Sequence, residues 1–178
     1  MVDLTINTDV AHQILVGFIK SEVTRVGYSR AVINLSGGLD SAISCILAVD
    51  ALGAENVLAL RLPYRTSSPD SLEHAQLIID KFKIKSETID ITEIVDPLIK
   101  RDPNMSNPRK GNIMARARMI ALYDQTEVFK GLPIGTSNKT EILLGYSTLW
   151  GDMASAINPI GDLYKTQIRQ LAYAINVP

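Results

Sequence analysis

One hexapeptide of this chain has residue types and a spacing that suit phosphate chemistry. It follows a short apolar run, 31–35, and precedes an apolar segment with helical periodicity. A strand, a glycine turn and the start of a helix direct free backbone amides and the positive end of the helix dipole toward one point, where an anion is stabilised. The sequence therefore predicts a phosphate-binding loop formed by Ser36, Gly37, Gly38, Leu39, Asp40 and Ser41.

Asp40 is the residue of this loop that needs a separate explanation. The two glycines allow unusual backbone angles and a close approach of phosphate oxygens, and the serines add hydroxyl donors. A carboxylate beside a phosphate repels it, unless a divalent cation lies between the two. Since Mg²⁺ prefers carboxylate and phosphate oxygens, we predict Asp40 as a magnesium ligand.

A simpler interpretation of the hexapeptide is structural, with Ser36 as a helix N-cap and the glycines as a tight turn. The complete string behind a strand is more specific than a bare glycine pair. It is not a Walker A loop, because no Gly-Lys-Ser/Thr follows. It also lacks the spacing of a dinucleotide-binding fingerprint.

A second loop of interest follows a short apolar run, 131–136, which is predicted to be a strand. Asn138 and Glu141 have the spacing of a capping box, and local sequence alone favours that structural role for Glu141. The alternative places Thr136 on a nucleotide and Glu141 on the metal, opposite Asp40. Both interpretations of Glu141 remain open at the level of sequence.

Two cations occupy positions that their local structure does not favour. Arg61 lies at the carboxyl end of a predicted strand, 56–62, where open α/β sheets bind ligands. Lys165 lies in the first turn of a predicted helix, 163–175, where it opposes the helix dipole. A phosphate partner would account for each.

A long helix, predicted from Arg109 to about Phe129, carries two further arginines. Arg116 shares one face with Asn112 by i,i+4 spacing. Arg118 is two positions away and cannot point in the same direction. We expect one arginine to bind an anion and the other to make a surface contact or salt bridge.

The remaining pattern predicts an α/β fold. Helices are predicted over Val10–Val26, with Thr8 or Asp9 as N-cap, and over 69–82, and a less buried strand over 84–91. Strand, helix, strand in this order indicates a right-handed βαβ unit and a parallel sheet with helices on both faces.

Composition narrows the class of protein. The chain has 178 residues, enough for one domain with a sizeable core, and a net charge of −1, which gives no basic field for nucleic acid. The single cysteine, Cys45, lies among apolar residues and is expected to be a buried structural thiol in a reducing compartment. With no signal peptide and no apolar run long enough to span a bilayer, we expect a cytoplasmic protein without a membrane partner.

Taken together, the segments resemble the ammonia-dependent NAD⁺ synthetases, a branch of the N-type ATP pyrophosphatases, which adenylylate a substrate with release of pyrophosphate. Five motifs in the order of the family carry the resemblance: 35–41, 110–119, 135–141, 145–152 and 158–165. It implies a Rossmann-like fold of the adenine nucleotide alpha-hydrolase type, in a single domain, 1–178, that lacks the C-terminal part of the family. The sequence departs from many members at Leu149, where they have lysine, and near Ala156, where they have aspartate.

The resemblance also implies a reaction. Deamido-NAD (nicotinic acid adenine dinucleotide), ATP and ammonia would give NAD⁺, AMP and pyrophosphate through an acyl-adenylate, in a homodimer. The alternatives are another N-type pyrophosphatase that adenylylates a different acceptor, and a non-catalytic nucleotide-binding subunit. Thiolating members usually carry additional cysteines, so Cys45 alone argues against them.

The resemblance further implies roles for individual residues. The loop from Ser36 to Ser41 would hold the pyrophosphate, and Asp40 and Glu141 would hold Mg²⁺. ATP would be contacted by Arg61, Thr136 and Lys165. Deamido-NAD would be contacted by Asn112 and by Arg116, the latter across the dimer interface.

Overall fold

A parallel sheet of four strands forms the centre of the structure, a computed structural model that describes residues 3–178. The strand order is β3-β2-β1-β4, and every pair is parallel. This confirms the predicted α/β class. The strands are β1 (Ala31–Asn34), β2 (Val57–Arg61), β3 (Lys85–Thr88) and β4 (Leu132–Ile134).

Helices connect the strands. They are α1 (Thr8–Arg25), α2 (Leu39–Leu52), α3 (Pro69–Phe82), α4 (Thr92–Ile99), α5 (Asn107–Phe129), α6 (Lys139–Leu144) and α7 (Lys165–Ala174), with a short 3₁₀ turn at Ala54–Asn56. The bounds of α3 match the prediction, because Pro69 is pre-organised for a first turn and Lys83, in a left-handed conformation, ends the helix. The expected N-cap of α1 is wrong: the side chain of Asn7 accepts from the amide of Val10 at 3.1 Å.

The two faces of the sheet have separate hydrophobic cores. Ile33 and Ala59 point to a core shared with α1, α2, α3 and α7. The intervening residues Val32, Leu58 and Leu60 point to a second core, shared with α4 and α5. This alternation is the period of two that extended strands impose. Helices therefore cover both faces, as predicted.

The edges of the sheet differ. All four residues of β3 are exposed, in agreement with the less buried strand predicted there. Beyond β4, Ile157 forms an isolated parallel bridge with Ile134, so a residue outside the four strands contributes one pairing. None of the helices within residues 3–178 is both long enough and apolar enough to cross a membrane.

Candidate functional site

A cleft of about 610 Å³ opens at the carboxyl edge of the sheet. The loops after β1, β2 and β4 line it, together with part of α5 and the segment 146–154. This is the edge at which open parallel sheets bind their ligands. The cleft brings together most of the predicted site residues: Ser36, Gly37, Gly38, Asp40, Ser41, Arg61, Thr136 and Glu141.

The phosphate loop has the form that the sequence predicts. Gly38 is the N-cap of α2, and within residues 3–178 no side chain caps this helix. The amides of Leu39, Asp40 and Ser41 belong to the first turn and have no acceptor within the helix. The side chain of Leu39 packs against the core, so this residue offers only its backbone. The first turn of α2 thus offers free amides, which suits an anion.

The two glycines of the loop are not equivalent. Gly37 has φ +82°, and a Cβ there would lie 2.1 Å from the carbonyl oxygen of Ser71. Gly38 has φ −84° and ψ 159°, an ordinary extended conformation, and a Cβ would meet only the hydroxyl of Ser36, at 3.4 Å. The expectation of unusual backbone angles is therefore right for Gly37 and wrong for Gly38.

The serines brace the loop from inside. Ser41 is 3% exposed, and its hydroxyl donates to the carbonyl of Gly38 at 2.8 Å. It also accepts from the amide of Ser36 at 3.2 Å. The hydroxyl of Ser36 accepts in turn from the amide of Gly38 at 3.3 Å. These bonds hold the turn in shape before any ligand binds.

Among the described residues, only one of the two carboxylate oxygens of Asp40 has a hydrogen-bond partner. Oδ2 accepts a hydrogen bond from the ammonium of Lys165, the first residue of α7, so Lys165 reaches the cleft through this contact. Oδ1 is buried and has no hydrogen-bond partner within the described chain. A buried carboxylate oxygen without a donor is costly. This oxygen is suited to a hard cation such as Mg²⁺.

Glu141 forms the capping box that one interpretation of the sequence predicts, and it also lies in the cleft that the other interpretation requires. Its Oε2 accepts from the amide of Asn138 at 3.1 Å, and its own amide donates to Asn138 Oδ1 at 2.9 Å. The predicted capping box is therefore confirmed. Glu141 also lines the cleft with Asp40. Residues 3–178 hold no cluster of three or more metal-ligating side chains, so a cation here would depend on this pair and on ligand oxygens.

Arg61 enters the cleft from the end of β2, as predicted. Its Nη1 donates to Oε1 of Gln76 on α3. Gln76 in turn donates to Asp80 at 2.7 Å. The Nε of Arg61 is buried and, in the described part of the chain, has no acceptor. The guanidinium is thus held by α3 through Nη1, while its buried Nε has no partner among the described residues.

The long helix α5 presents a residue that sequence reasoning did not assign. Arg118 lines the cleft, and its Nε donates to the carbonyl of Leu62 at 2.9 Å. Arg116 is exposed and donates twice to the carbonyl of Leu149, at 3.1 and 3.3 Å. Helical spacing predicted that the two arginines diverge, but it could not tell which one faces the sheet edge.

Asn112 lies with Arg116, outside the lining of the cleft. Its Oδ1 accepts from the hydroxyl of Thr148 at 2.7 Å. The amide of Thr148 donates to Asp152 at 2.6 Å. Asn112 and Arg116 thus fasten the segment 145–152 to α5. That segment contributes Tyr146, Gly151 and Asp152 to the wall of the cleft.

Comparison with known proteins agrees with this geometry. The model of the NAD synthase family matches residues 11–178. The chain is 54% identical over 176 residues to the NH(3)-dependent NAD(+) synthetase of Chlorobium phaeovibrioides, covering 99% of this chain and 64% of that protein. It therefore spans less than two thirds of the length of that relative.

Solved structures give the same result. An NH3-dependent NAD synthetase from Campylobacter jejuni, in complex with the nitrate ion, superposes with a TM-score of 0.91 at 40% identity, covering 97% of this chain and 75% of that one. An NMN synthetase from Francisella tularensis superposes with a TM-score of 0.91 at 31% identity, covering 98% and 73%. The matched span, the fold and the phosphate loop together place this chain in the NAD synthase family.

Proposed function

We propose that this protein makes NAD⁺ by ATP-dependent amidation of deamido-NAD with ammonia, releasing AMP and pyrophosphate. The observation that carries the proposal is the environment of the Asp40 carboxylate in the first turn of α2. One of its oxygens accepts a hydrogen bond from Lys165, and the other is buried without a partner among the described residues. An anion-binding helix start with such a carboxylate suits a metal-bound triphosphate. Membership of the NAD synthase family supports this choice of reaction.

The cleft can bind ATP along its length. The first-turn amides of α2, within the loop 36–41, receive the pyrophosphate. Arg61, Thr136 and Lys165 contact the rest of the nucleotide. Asp40 and Glu141 hold Mg²⁺, which neutralises phosphate charge when it is bound. Both carboxylates line the same cleft and offer the oxygen ligands that this ion prefers.

The reaction proceeds in two displacements. The nicotinate carboxylate of deamido-NAD attacks the α-phosphorus of ATP, and the bond to pyrophosphate breaks. Ammonia then attacks the carbonyl of the acyl-adenylate, loses a proton, and expels AMP. Neither step requires a protein nucleophile, because rate comes from positioning and charge stabilisation. Cys45 is unsuited to that role, since burial raises its pKa to about 12.

A second copy of the chain completes this proposal. The segment that Arg116 and Asn112 fasten exposes large apolar side chains, and Tyr146 and Trp150 are 80% and 69% exposed. These two side chains and that of Leu144 on α6, which is 75% exposed, lie within the short segment 144–150, which suits a partner surface. We propose a cytoplasmic homodimer of single-domain chains, in which Asn112 and Arg116 contact deamido-NAD at this interface.

The test is an assay of the full-length protein with ATP, Mg²⁺, ammonia and deamido-NAD. NAD⁺, AMP and pyrophosphate should appear in equal amounts, and omission of any component should stop their continued formation. Nicotinate mononucleotide is the competing acceptor, because one similar structure is an NMN synthetase. If AMP forms with nicotinate mononucleotide and not with deamido-NAD, the mononucleotide is the substrate. ATP binding without turnover on either acceptor would favour a nucleotide-binding subunit instead.

A further inference from the structure

Arg118 is a cation whose position the proposed ATP contacts do not explain. Among the described residues that line the cleft, the lysine and arginine side chains are those of Arg61 and Arg118. Arg61 is held by Gln76 on α3, beside the phosphate loop. Arg118 belongs to α5, and its one protein hydrogen bond within residues 3–178 goes from Nε to the carbonyl of Leu62. The two terminal nitrogens of its guanidinium remain available to a ligand.

The two sides of the cleft lie on opposite faces of the sheet. The phosphate loop leads into α2, which packs on the core that contains Leu35. Arg118 follows Ala117, which packs with Leu62 and Leu122 in the core of the other face. In the proposed function, the triphosphate binds on the α2 side. Arg118 therefore faces the cleft from the side opposite to the one that we propose binds the phosphates.

The part of that cleft wall formed by α5 is otherwise apolar near Arg118. The other α5 residues that line the cleft are Ala115, Met119 and Leu122. Burial lowers the pKa of Arg118, while the carboxylate of Asp152 opposes that shift. A guanidinium whose terminal nitrogens make no hydrogen bond within residues 3–178, beside the apolar side chains of α5, fits a flat apolar ring that carries one carboxylate. The fork of an arginine matches a carboxylate through two parallel hydrogen bonds.

The geometry points to Arg118 as the residue that binds the carboxylate of the acceptor, an aromatic acid, and so distinguishes it from its amide. This inference rests on the proposed function. Nη1 and Nη2 hold the carboxylate while one of its oxygens attacks the α-phosphorus and pyrophosphate leaves with the electrons of the broken P–O bond. The first step turns the carboxylate into a neutral acyl group, and the second step replaces the adenylate oxygen on that group by nitrogen, so the amide product offers no anion to Arg118.

The test compares acid and amide binding in the full-length protein. Arg118→Met removes the fork and keeps an apolar stem, and Arg118→Lys keeps charge without the fork. The control is Arg30→Met, since Arg30 also donates to a backbone carbonyl, that of Phe129, but precedes β1 at the opposite edge of the sheet. Calorimetry with deamido-NAD, with NAD⁺, and with a magnesium complex of a non-hydrolysable ATP analogue gives three affinities for each protein.

The wild-type protein and Arg30→Met should prefer deamido-NAD to NAD⁺. In Arg118→Met that preference should fall by roughly 10- to 100-fold, the range for a lost charge-assisted hydrogen bond, with affinity for NAD⁺ and for the ATP analogue retained. Arg118→Lys should lie between the two. In Arg118→Met, the deamido-NAD-dependent exchange of pyrophosphate into ATP should become slower because the KM for deamido-NAD rises.

Three results would overturn the assignment. An equal loss for acid and amide would show that Arg118 supports the cleft wall. A loss confined to the ATP analogue would place it on a phosphate, and an unchanged preference would remove it from binding. If the wild-type protein itself binds neither dinucleotide and forms no NAD⁺, the proposed function fails instead.

Discussion

The ammonium of Lys165 donates to Oδ2 of Asp40 and so joins the first turns of α7 and α2. A carboxylate is favoured at a helix N-terminus, but an ammonium there opposes the dipole. Their contact accounts for a lysine in an unfavourable helical position. It also places a cation beside the predicted phosphate site.

Asp40→Asn should lower NAD⁺ formation by at least about 100-fold, because the variant keeps the shape of the side chain and loses the charge that we propose binds the cation. The free energy of unfolding should change by no more than about 1 kcal/mol, since a partly exposed ion pair contributes little. Turnover assays and urea unfolding measure the two effects.

Asp50→Asn is the matched control for this variant. Asp50 lies on the same helix and pairs with His12 at 2.8 Å, on the surface and outside the lining of the cleft. It should retain wild-type turnover. Wild-type turnover in Asp40→Asn as well would remove Asp40 from the metal site.

Glu141→Gln separates the capping role of this residue from a metal role. Glutamine preserves both bonds of the capping box, so stability should stay within about 0.5 kcal/mol of wild type. Glu141→Ala loses the cap and should cost about 1 kcal/mol. Turnover should fall in both variants, because both lack the charge. If Glu141→Gln is fully active, the residue is a cap alone.

Substitution of the two loop glycines by alanine should have unequal effects. Gly37→Ala places a methyl group 2.1 Å from a backbone carbonyl oxygen at positive φ, and should reduce the free energy of unfolding by at least about 2 kcal/mol. Gly38→Ala has room and an ordinary conformation, and should cost no more than about 1 kcal/mol. Thermal and urea unfolding of both variants decide this, and equal losses would contradict the geometry of the loop.

Cys45 should be inert in the folded protein and reactive in the unfolded one. Burial raises its pKa to about 12, so a thiol reagent at about pH 8 should label it only in denaturant. Above about pH 9 the unfolded chain releases this proton while the folded chain keeps it, so the free energy of unfolding falls as pH rises toward about 12. Cys45→Ala should lack this part of the pH dependence, and labelling of the native protein would contradict the burial.

Local signals predicted most of the fold. The glycine turn between an apolar strand and a helix defined the phosphate loop, and Pro69 defined the start of α3, because both depend on residues close in sequence. The pairing of Ile157 with Ile134 depends on a contact between distant residues and left no local pattern. The orientation of Arg118 is a similar case, since a helical period gives relative angles and no absolute direction.

The anchoring of the segment 145–152 bears on how this family can diversify. Arg116 donates hydrogen bonds to the backbone carbonyl oxygen of Leu149, and this oxygen is present whatever side chain stands at that position. The side chain at that position is 58% exposed and is uninvolved in this attachment. A charged residue can therefore replace leucine there without loosening the attachment of the loop to α5.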